Sequence, residues 1–461
     1  MTFDPTIAAI RFGTGLSPRI APPRSVDEMA YRLAGPDVTA ARFPWFTFDE
    51  ITPSPLQMAE AQRARRGLDP DSAEGKAAAE AYGALREAAA ERHRRSLAVV
   101  LARGIAAEDG LRERLVRFWS DHFTVEARQT RTAHLVSAYV EGAIRPHVAG
   151  RFADMLKAVI RSPVMLVYLD QVRSVGPNSR LGKRRGQGLN ENLARELLEL
   201  HTLGVGGAYG QEDVTELAEL LTGLTWNPDR GFRFEPALAE PGAETVLGRR
   251  YGGPGEARLA DIDAALEDIA RHPDTARHLA RKLAVHFVAD EPDPALVSAM
   301  AAAYADSDGD LHATTLAMLR HPAAWGPPPS KAKTPMGFIQ TALRALDMDP
   351  GRLIALPIPD LRRLIEGPLS AMGETYLRAG GPDGVEERAE AWITPQGMAN
   401  RIMWALRVPE RLLDRLPDPR DFVTHALGPL APGEVIFAAE AAESRAEGVG
   451  VVLASAAFQW R

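Results

Sequence analysis

The sequence contains no cysteine among its 461 residues. This absence excludes disulfides, thiolate zinc sites, iron–sulfur clusters held by cysteine, and a cysteine nucleophile. It does not indicate a compartment, because a chain without thiols tolerates oxidising and reducing surroundings equally well.

Long hydrophobic runs are also absent. A membrane-spanning helix needs roughly 18 uninterrupted apolar residues, and the best run here, 158–169, is interrupted by Arg161, Ser162 and Pro163. Residues 1–5 lack the basic and apolar regions of a signal peptide. We therefore expect a cytoplasmic protein with no membrane segment, unless a partner with its own export signal carries it elsewhere.

The excess of one charge is small, since 54 basic and 61 acidic side chains give a formal net charge of −7. Such a balance provides no global field that would attract nucleic acid. One basic loop, residues 180–185, has four positive charges, which is too few for a DNA-reading surface. We therefore expect no nucleic-acid partner.

Strand signals are scarce, whereas helical periodicity recurs along the whole chain. The periodic segments are 55–103, 111–118, 133–144, 191–200, 214–221, 259–270, 276–287, 294–305, 311–319, 337–346, 359–363, 397–406, 419–427 and 435–455. Residues 231–235 and 244–251 alternate in polarity around a Pro/Gly turn, which is typical of a hairpin. The sequence predicts a mainly α fold, a large orthogonal multi-helix bundle with at most one short β-hairpin.

Linkers long enough to separate domains are missing. We expect residues 1–461 to form a single helical unit. A possible subdivision lies near residues 322–335, where three consecutive prolines occur.

The densest polar pattern lies at residues 190–201. On a helical wheel one arc of about 140° holds Glu191, Asn192, Arg195, Glu196 and Glu199. One interpretation is a solvated face stabilised by Glu191–Arg195 and Arg195–Glu199 pairs, with Asn190 as the N-cap. The other places Glu196 and Glu199 on one wall as metal ligands or as acid/base groups.

His201 falls on the opposite side of this wheel, together with Leu197. It would join the two carboxylates only if the helix unwinds before Leu203. Further along, Asp213 and Glu216 fit a capping box that begins the next helix.

A histidine beside an acid occurs at Asp121-His122, between Trp119 and Phe123. A histidine needs an oriented partner to act as a base or a ligand, and neighbouring helical residues do not face each other. A hydrogen-bonded core histidine and a functional histidine are both compatible with this pattern.

Several of these strings together resemble the bacterial family called domain of unknown function 1800. The strings are Arg11-Phe12-Gly13, Phe118-Trp119…His122-Phe123, the segment 190–205 with Asp213-Val214, Arg281-Lys282-Leu283…Phe287-Val288, Lys333-Thr334-Pro335, Leu343-Arg344-Ala345 and Trp392-Ile393-Thr394-Pro395. The resemblance covers nearly the whole chain and implies a largely helical single unit. It also implies that relatives are often exported and encoded beside a sulfatase-like family.

This chain departs from the pattern of the family in three ways. We expect it to lack the export signal of many relatives, Ala239 stands where relatives often have histidine, and Gly210 replaces the hydroxyl residue that caps the second helix. If that histidine is a metal ligand in relatives, a three-histidine site is incomplete here.

We expect a metal-dependent or hydrolase-like activity in a polar pocket formed by the 190–201 helix. The candidate catalytic residues are Glu196, Glu199, His201, His122 and Asp121; the candidate ligands of a divalent metal are His201, Glu196 and Glu199; the candidate binding residues are Asn192, Arg195, Arg11 and Asp213. The alternative is a non-catalytic partner or maturation factor for a co-encoded sulfatase-like protein. Because the resemblance retains the whole polar string, it favours a buried arc in which Arg195 compensates the carboxylates.

Overall fold

The computed structural model describes residues 3–126, 133–185, 188–326 and 331–461, and the chain there is predominantly helical. Three groups of helices follow one another. The first is α1 (Pro5–Ile7), α2 (Val26–Ala34), α3 (Val38–Arg42), α4 (Pro55–Arg66), α5 (Ala73–Ala106), α6 (Gly110–His122), α7 (Ala133–Tyr139), α8 (Phe152–Ile160), α9 (Pro163–Tyr168), α10 (Gly182–Arg185), α11 (Asn192–Glu196) and α12 (Gln211–Leu220).

The second group follows two hairpins and the third reaches the end of the sequence. The second group is α13 (Leu259–Ala270), α14 (Pro273–Phe287), α15 (Pro294–Asp306) and α16 (Leu311–Arg320). The third is α17 (Pro335–Ala345), α18 (Pro350–Ile354), α19 (Ile358–Leu361), α20 (Gly367–Ala371), α21 (Ala389–Trp392), α22 (Pro395–Arg407), α23 (Pro409–Leu412), α24 (Pro419–Leu427), α25 (Gly433–Ala441), α26 (Arg445–Ala454) and α27 (Ala456–Gln459).

Helices of other pitch connect several of these elements. Wider π-helical turns occupy Ala8–Phe12, Val140–Ile144, Leu197–His201 and Arg362–Glu366, and 3₁₀ turns occupy Arg145–His147, Gln171–Arg173, Pro322–Trp325 and Gly428–Leu430. π-helical turns are rare and frequently occur at functional sites.

The helix ends follow from the sequence. Ser54 and Gln57 form a complete capping box at the start of α4, and the side chains of Ser72 and Asp109 accept backbone N–H groups at the starts of α5 and α6. The periodic segment 55–103 is therefore divided into α4 and α5. Gly67 ends α4, and Ser72 begins the next helix.

The strands form two hairpins instead of the single one predicted. Strand β1 (Leu224–Asn227) pairs antiparallel with β2 (Gly231–Phe234), and β3 (Ala243–Val246) pairs antiparallel with β4 (Arg249–Gly252). The predicted pairing of 231–235 with 244–251 is wrong, because each segment has a nearer partner across its own tight turn. The mainly α fold is confirmed.

Two hydrophobic clusters make up most of the core. The first is built from α6 to α8 and α11 to α16, with Trp119, Phe152 and Phe287 fully buried. The second combines the last turns of α5 with the third group of helices, around Phe338, Trp404 and Phe458. The change of cluster falls near the predicted subdivision at 322–335, where residues 327–330 lie outside the described residues. The single-unit organisation stays a prediction.

None of the helices in the described part of the chain is long and apolar enough to cross a membrane.

Candidate functional site

The last turn of α6 sends Asp121 and His122 in different directions, as expected for neighbours on a helix. His122 is buried, and its Nε2 donates to the backbone oxygen of His201 over 3.1 Å. Its ring lies among aromatic side chains, with Phe123 edge-on at 4.6 Å between ring centroids. His122 and His201 therefore lie close together, and His122 lines one cavity together with Asp121.

His201 ends the π-helical turn Leu197–His201 and is buried with Leu197, on the face that the wheel predicts. Its ring centroid lies 5.0 Å from that of Phe123 and 6.1 Å from that of His122. Neither ring nitrogen has a hydrogen-bond partner among the described residues. Burial lowers the pKa of His201 to about 3, and the charge of Lys282 acts in the same direction. His201 is thus a neutral core histidine.

The arc on α11 is only partly buried. Asn192 is exposed, and the side chain of Arg195 is 43% exposed. Arg195 pairs with Glu191 at 3.0 Å. Partial burial raises the pKa of Glu196, and Glu199 acts in the same direction. The expectation of a buried arc is wrong, and the predicted Glu191–Arg195 pair is confirmed.

The predicted N-cap is displaced by one residue. Glu191 occupies the N-cap position of α11, and the side chain of Asn190 instead accepts the N–H of Asn192.

The structure does not bring the three predicted metal ligands together. His201 points into the core, while Glu196 and Glu199 lie on the partly exposed face of the same helix. Among the residues that the structure describes, no three histidine or carboxylate side chains are grouped so that they could hold a metal ion. The residues of this predicted site therefore do not fit a divalent ion, which needs converging ligands.

The remaining predicted binding residues have structural contacts. Arg11 is buried and donates to the backbone oxygen of Ala324 over 2.6 Å. Asp213 accepts the N–H of Gly210 and that of Leu247, both within 2.8 Å, so it ties the start of α12 to the turn between β3 and β4. The predicted capping box of Asp213 and Glu216 is wrong, because α12 begins earlier, with Gly210 at the N-cap, and Glu216 instead accepts the N–H of Thr245.

Two cavities meet at a wall made by Asp121, Val385 and Glu387. The first, which we call the polar cavity, has a volume of about 230 Å³ and is lined by His278, Lys282 and Asp383 in addition to that wall. The second, the apolar cavity, has a volume of about 130 Å³ and lies between α5, α6, α7 and the segment 374–379. Small-molecule sites are typically such concave, mostly apolar spaces with a few converging polar groups.

Glu387 belongs to a buried charge network behind this wall. It contacts His286 Nδ1 at 2.5 Å, and the cations Lys331 and Arg461 lie 3.3 and 3.8 Å from it. Burial by itself raises the pKa of Glu387, but His286, Arg461 and Lys331 outweigh it and hold the pKa well below its usual range. Glu387 is therefore ionised.

The tautomer of His286 follows from its neighbours. Arg114 can only donate, and it approaches His286 Nε2 at 3.1 Å, so Nε2 is the acceptor and Nδ1–H donates to Glu387. Burial lowers the pKa of His286 to about 3, which is consistent with this neutral form.

Asp121 has a different environment. Its Oδ1 accepts the N–H of Val385 over 2.9 Å, and it forms no ion pair within the described ranges. Burial raises the pKa of Asp121 to about 7, and the charge of Glu387 acts in the same direction. The N–H of Val385 and the charges of Lys282 and Arg117 lower this pKa but do not outweigh burial. Position 384 must be glycine for this contact, because φ is +89° and a Cβ there would lie 2.7 Å from Asp121 Oδ2.

Lys282 and His278 come from α14 and line the polar cavity. Burial lowers the pKa of Lys282 against the attraction of Asp121, Glu387 and Asp383. Burial, together with Lys282, lowers the pKa of His278 to about 4. His278 Nε2 lies 3.1 Å from the backbone oxygen of Leu200, so Nε2 carries the proton and Nδ1 is the acceptor. Position 204 must be glycine beside this ring, because φ is +87° and a Cβ there would lie 2.5 Å from Nδ1.

The comparison with protein families agrees with the resemblance noted in the sequence. The model described as "Protein of unknown function (DUF1800)" matches residues 27–460. The chain belongs to this family. No curated protein and no solved structure matches it.

In this DUF1800 protein, sequence reasoning missed the residues that surround Asp121. Lys282 and His286 lie in the string 281–288 that carries part of the family resemblance, so a signal existed although no role was attached to it. Asp383 and Glu387 follow a glycine-rich segment without periodicity. Their position at the cavities depends on contacts between segments that are distant along the chain.

Proposed function

We propose that the protein has a hydrolase-like activity, with the reaction taking place in the polar cavity instead of at the α11 face. The observation that carries this proposal is the pair of wall carboxyls with opposite pKa shifts, Asp121 raised to about 7 and Glu387 lowered. Carboxyls whose environments separate their pKa values in this way are typical of acid–base sites.

The roles follow from the protonation states. Protonated Asp121 donates a hydrogen bond to a substrate carbonyl oxygen, and the ammonium group of Lys282 stabilises the negative charge that develops there. Neutral His278 accepts the proton of the attacking water at Nδ1 and delivers it to the leaving group, so the proton is conserved. The reaction class is the hydrolysis of an uncharged ester or amide.

The test is hydrolysis of a panel of uncharged esters and amides by the full chain. Asp121→Leu should reduce kcat/KM by about 10²- to 10³-fold, as expected for the loss of one donor to the oxyanion. Wild-type activity should fall above pH 7 as Asp121 ionises, and Asp121→Asn, which keeps a donor, should remove this fall. Glu199→Gln is the control and should behave as wild type.

The proposal fails if Asp121→Leu retains full activity while Glu199→Gln loses it, because the α11 face would then be the site. It also fails if the wild-type protein hydrolyses no ester or amide of the panel faster than the Asp121→Leu variant does.

A second candidate is the non-catalytic partner role, and the partly exposed arc with Asn192 and Arg195 favours it. A charged exposed face contributes to the specificity and association rate of a complex. If the sulfatase-like protein binds here, Arg195→Glu should weaken the complex about tenfold in a calorimetric titration and Asp121→Asn should not. Equal affinities for both variants would exclude the arc as the interface.

A further inference from the structure

Valine is the residue type that lines the apolar cavity most often. Val99 and Val100 come from α5, Val116 from α6, and Val136 and Val140 from α7 and the turn that follows it. The volume of about 130 Å³ is close to the roughly 150 Å³ of a dry protein cavity that binds benzene. The space therefore suits a six-membered ring or a short hydrocarbon chain.

Charged side chains on this wall have partners within the protein. Arg103 pairs with Glu141 at 2.6 Å, Arg145 with Glu113 at 2.7 Å, and Arg117 with Glu374 at 2.5 Å. Since the arginines and these glutamates neutralise one another, they do not require a charged ligand.

Three of the wall hydroxyls also have hydrogen-bond acceptors within the protein. Ser96 donates to the backbone oxygen of His93, Ser137 to that of His134, and Thr124 to that of Asp121. A ligand would gain little from them.

Asp121 is the exception on this wall. Of the carboxylates that line the apolar cavity, it alone is without an ion-pair partner among the described residues. It also lines the polar cavity, so a group that contacts it stands at the junction of the two spaces.

We propose that the apolar cavity binds the uncharged acyl or aryl part of the substrate, about the size of a benzene ring, and that the carbonyl oxygen next to it accepts a hydrogen bond from Asp121. This inference rests on the proposed function and names its substrate class. The leaving group would then extend into the polar cavity, toward Lys282 and His278.

The protonation of Asp121 makes the binding depend on pH. The charged groups that act on it are Lys282 from α14, Glu387 from the opposite segment and Arg117 from its own helix. Above pH 7 the carboxyl ionises and loses its only donor, and a carbonyl oxygen then faces a negative charge.

Acetophenone is a suitable probe, because it has a ring and a carbonyl acceptor and cannot be hydrolysed. Calorimetric titration of the full chain should give binding at pH 6 that weakens about tenfold or more at pH 8.5. Asp121→Asn, which donates at either pH, should bind equally well at both. Toluene, which lacks the carbonyl group, should bind more weakly and without pH dependence.

Filling the cavity provides a second measurement. Val140→Phe and Val100→Phe add a ring at two lining positions on different elements, where both valines are only partly buried, and each should abolish acetophenone binding. Val167→Phe is the matched control, since Val167 is 46% exposed and does not line either cavity. Circular dichroism of each variant separates blocked binding from failure to fold.

The inference is overturned if acetophenone does not bind, or if both filled variants bind it as the wild-type protein does. It is also overturned if benzylamine or benzoate binds more tightly than acetophenone at pH 6. Tighter benzylamine would make Asp121 a counter-ion for a cation. Binding without any ester or amide hydrolysis would refute the proposed function alone.

Discussion

Glu387 is the residue on which the buried charges behind the cavity wall depend. Lys331 is fully buried, and Arg461 nearly so, and both face its carboxylate. Lys331 also pairs with Asp290, whereas Arg461 and His286 depend on Glu387 for their carboxylate contact. Removing one partner from a buried charge network costs more than the net value of an intact pair.

We expect Glu387→Gln to lower the free energy of unfolding by about 3–5 kcal/mol at pH 7. Because the pKa of Glu387 lies below its unfolded value, this contribution is present above the unfolded pKa of about 4.5 and is lost as the pH falls below it. Urea denaturation at pH 7 and pH 4 measures the difference. Glu386→Gln, an exposed neighbour, is the control and should change stability by less than about 0.5 kcal/mol. A Glu387→Gln protein as stable as the control at pH 7 would contradict this account.

Glu244 illustrates the opposite shift. It is buried on β3 against α12, and burial raises its pKa to about 7, with Glu219, Glu216 and Glu240 acting in the same direction. Its ionisation therefore opposes folding.

Between its unfolded pKa of about 4.5 and its folded pKa of about 7, the native state holds the proton more tightly, so stability decreases as the pH rises. We expect Glu244→Gln to be more stable than wild type by about 1–2 kcal/mol at pH 8 and nearly equal to it at pH 5. Thermal unfolding at the two pH values tests this. A variant that is less stable than wild type at pH 8 would show that the carboxylate is favourable where it lies.

At the scale of elements, the α11 helix and its π-helical turn separate a partly exposed polar face from a buried face. Arg195 contributes one i,i+4 pair with Glu191, and its side chain is 43% exposed. Exposed pairs of this kind contribute little to stability.

Arg195→Ala should accordingly lower the free energy of unfolding by no more than about 0.5 kcal/mol, and its melting temperature should be close to that of the parent. A loss of several kcal/mol would restore the buried-arc interpretation. His201→Ala provides a contrast on the buried face, where the lost packing should cost about 2 kcal/mol or more.

At the scale of the whole molecule, buried polar contacts fix α17 of the second cluster to the end of α5 and to the segment that follows Phe12 of the first cluster. Arg344 in α17 donates to the backbone oxygens of Gly15, Gly104 and Ile105, at 2.9, 3.0 and 2.7 Å. The last turns of α5 lie in the second cluster, whereas α6, which follows directly, lies in the first.

We therefore expect one cooperative unfolding transition in differential scanning calorimetry, since neither cluster can lose its contacts independently. Arg344→Leu removes a donor from three backbone carbonyl groups, of which that of Gly104 keeps the Thr14 hydroxyl, and should lower the melting temperature by several degrees. Two separate transitions in the wild-type protein would instead establish two domains divided near residues 322–335.

The sequence by itself determined the helical class, most helix positions and the family, because these depend on local periodicity and on caps such as Ser54, Ser72 and Asp109. It also indicated that His201 lies apart from Glu196, since that separation follows from the geometry of one helix. The sequence did not determine how the strands pair, because several short polar segments could pair with one another and only packing selects the partners.

Only the tertiary structure decided where the candidate site lies. Asp121 was recognisable as an acid beside a histidine, but its raised pKa arises from burial and from Glu387, while Lys282 reaches it from α14. Those groups are far apart along the chain, and no local pattern encodes their approach. Burial and through-space charge act over distances in the folded molecule, and for that reason the chemistry of this wall became visible only after folding had placed α6, α14 and residues 383–387 together.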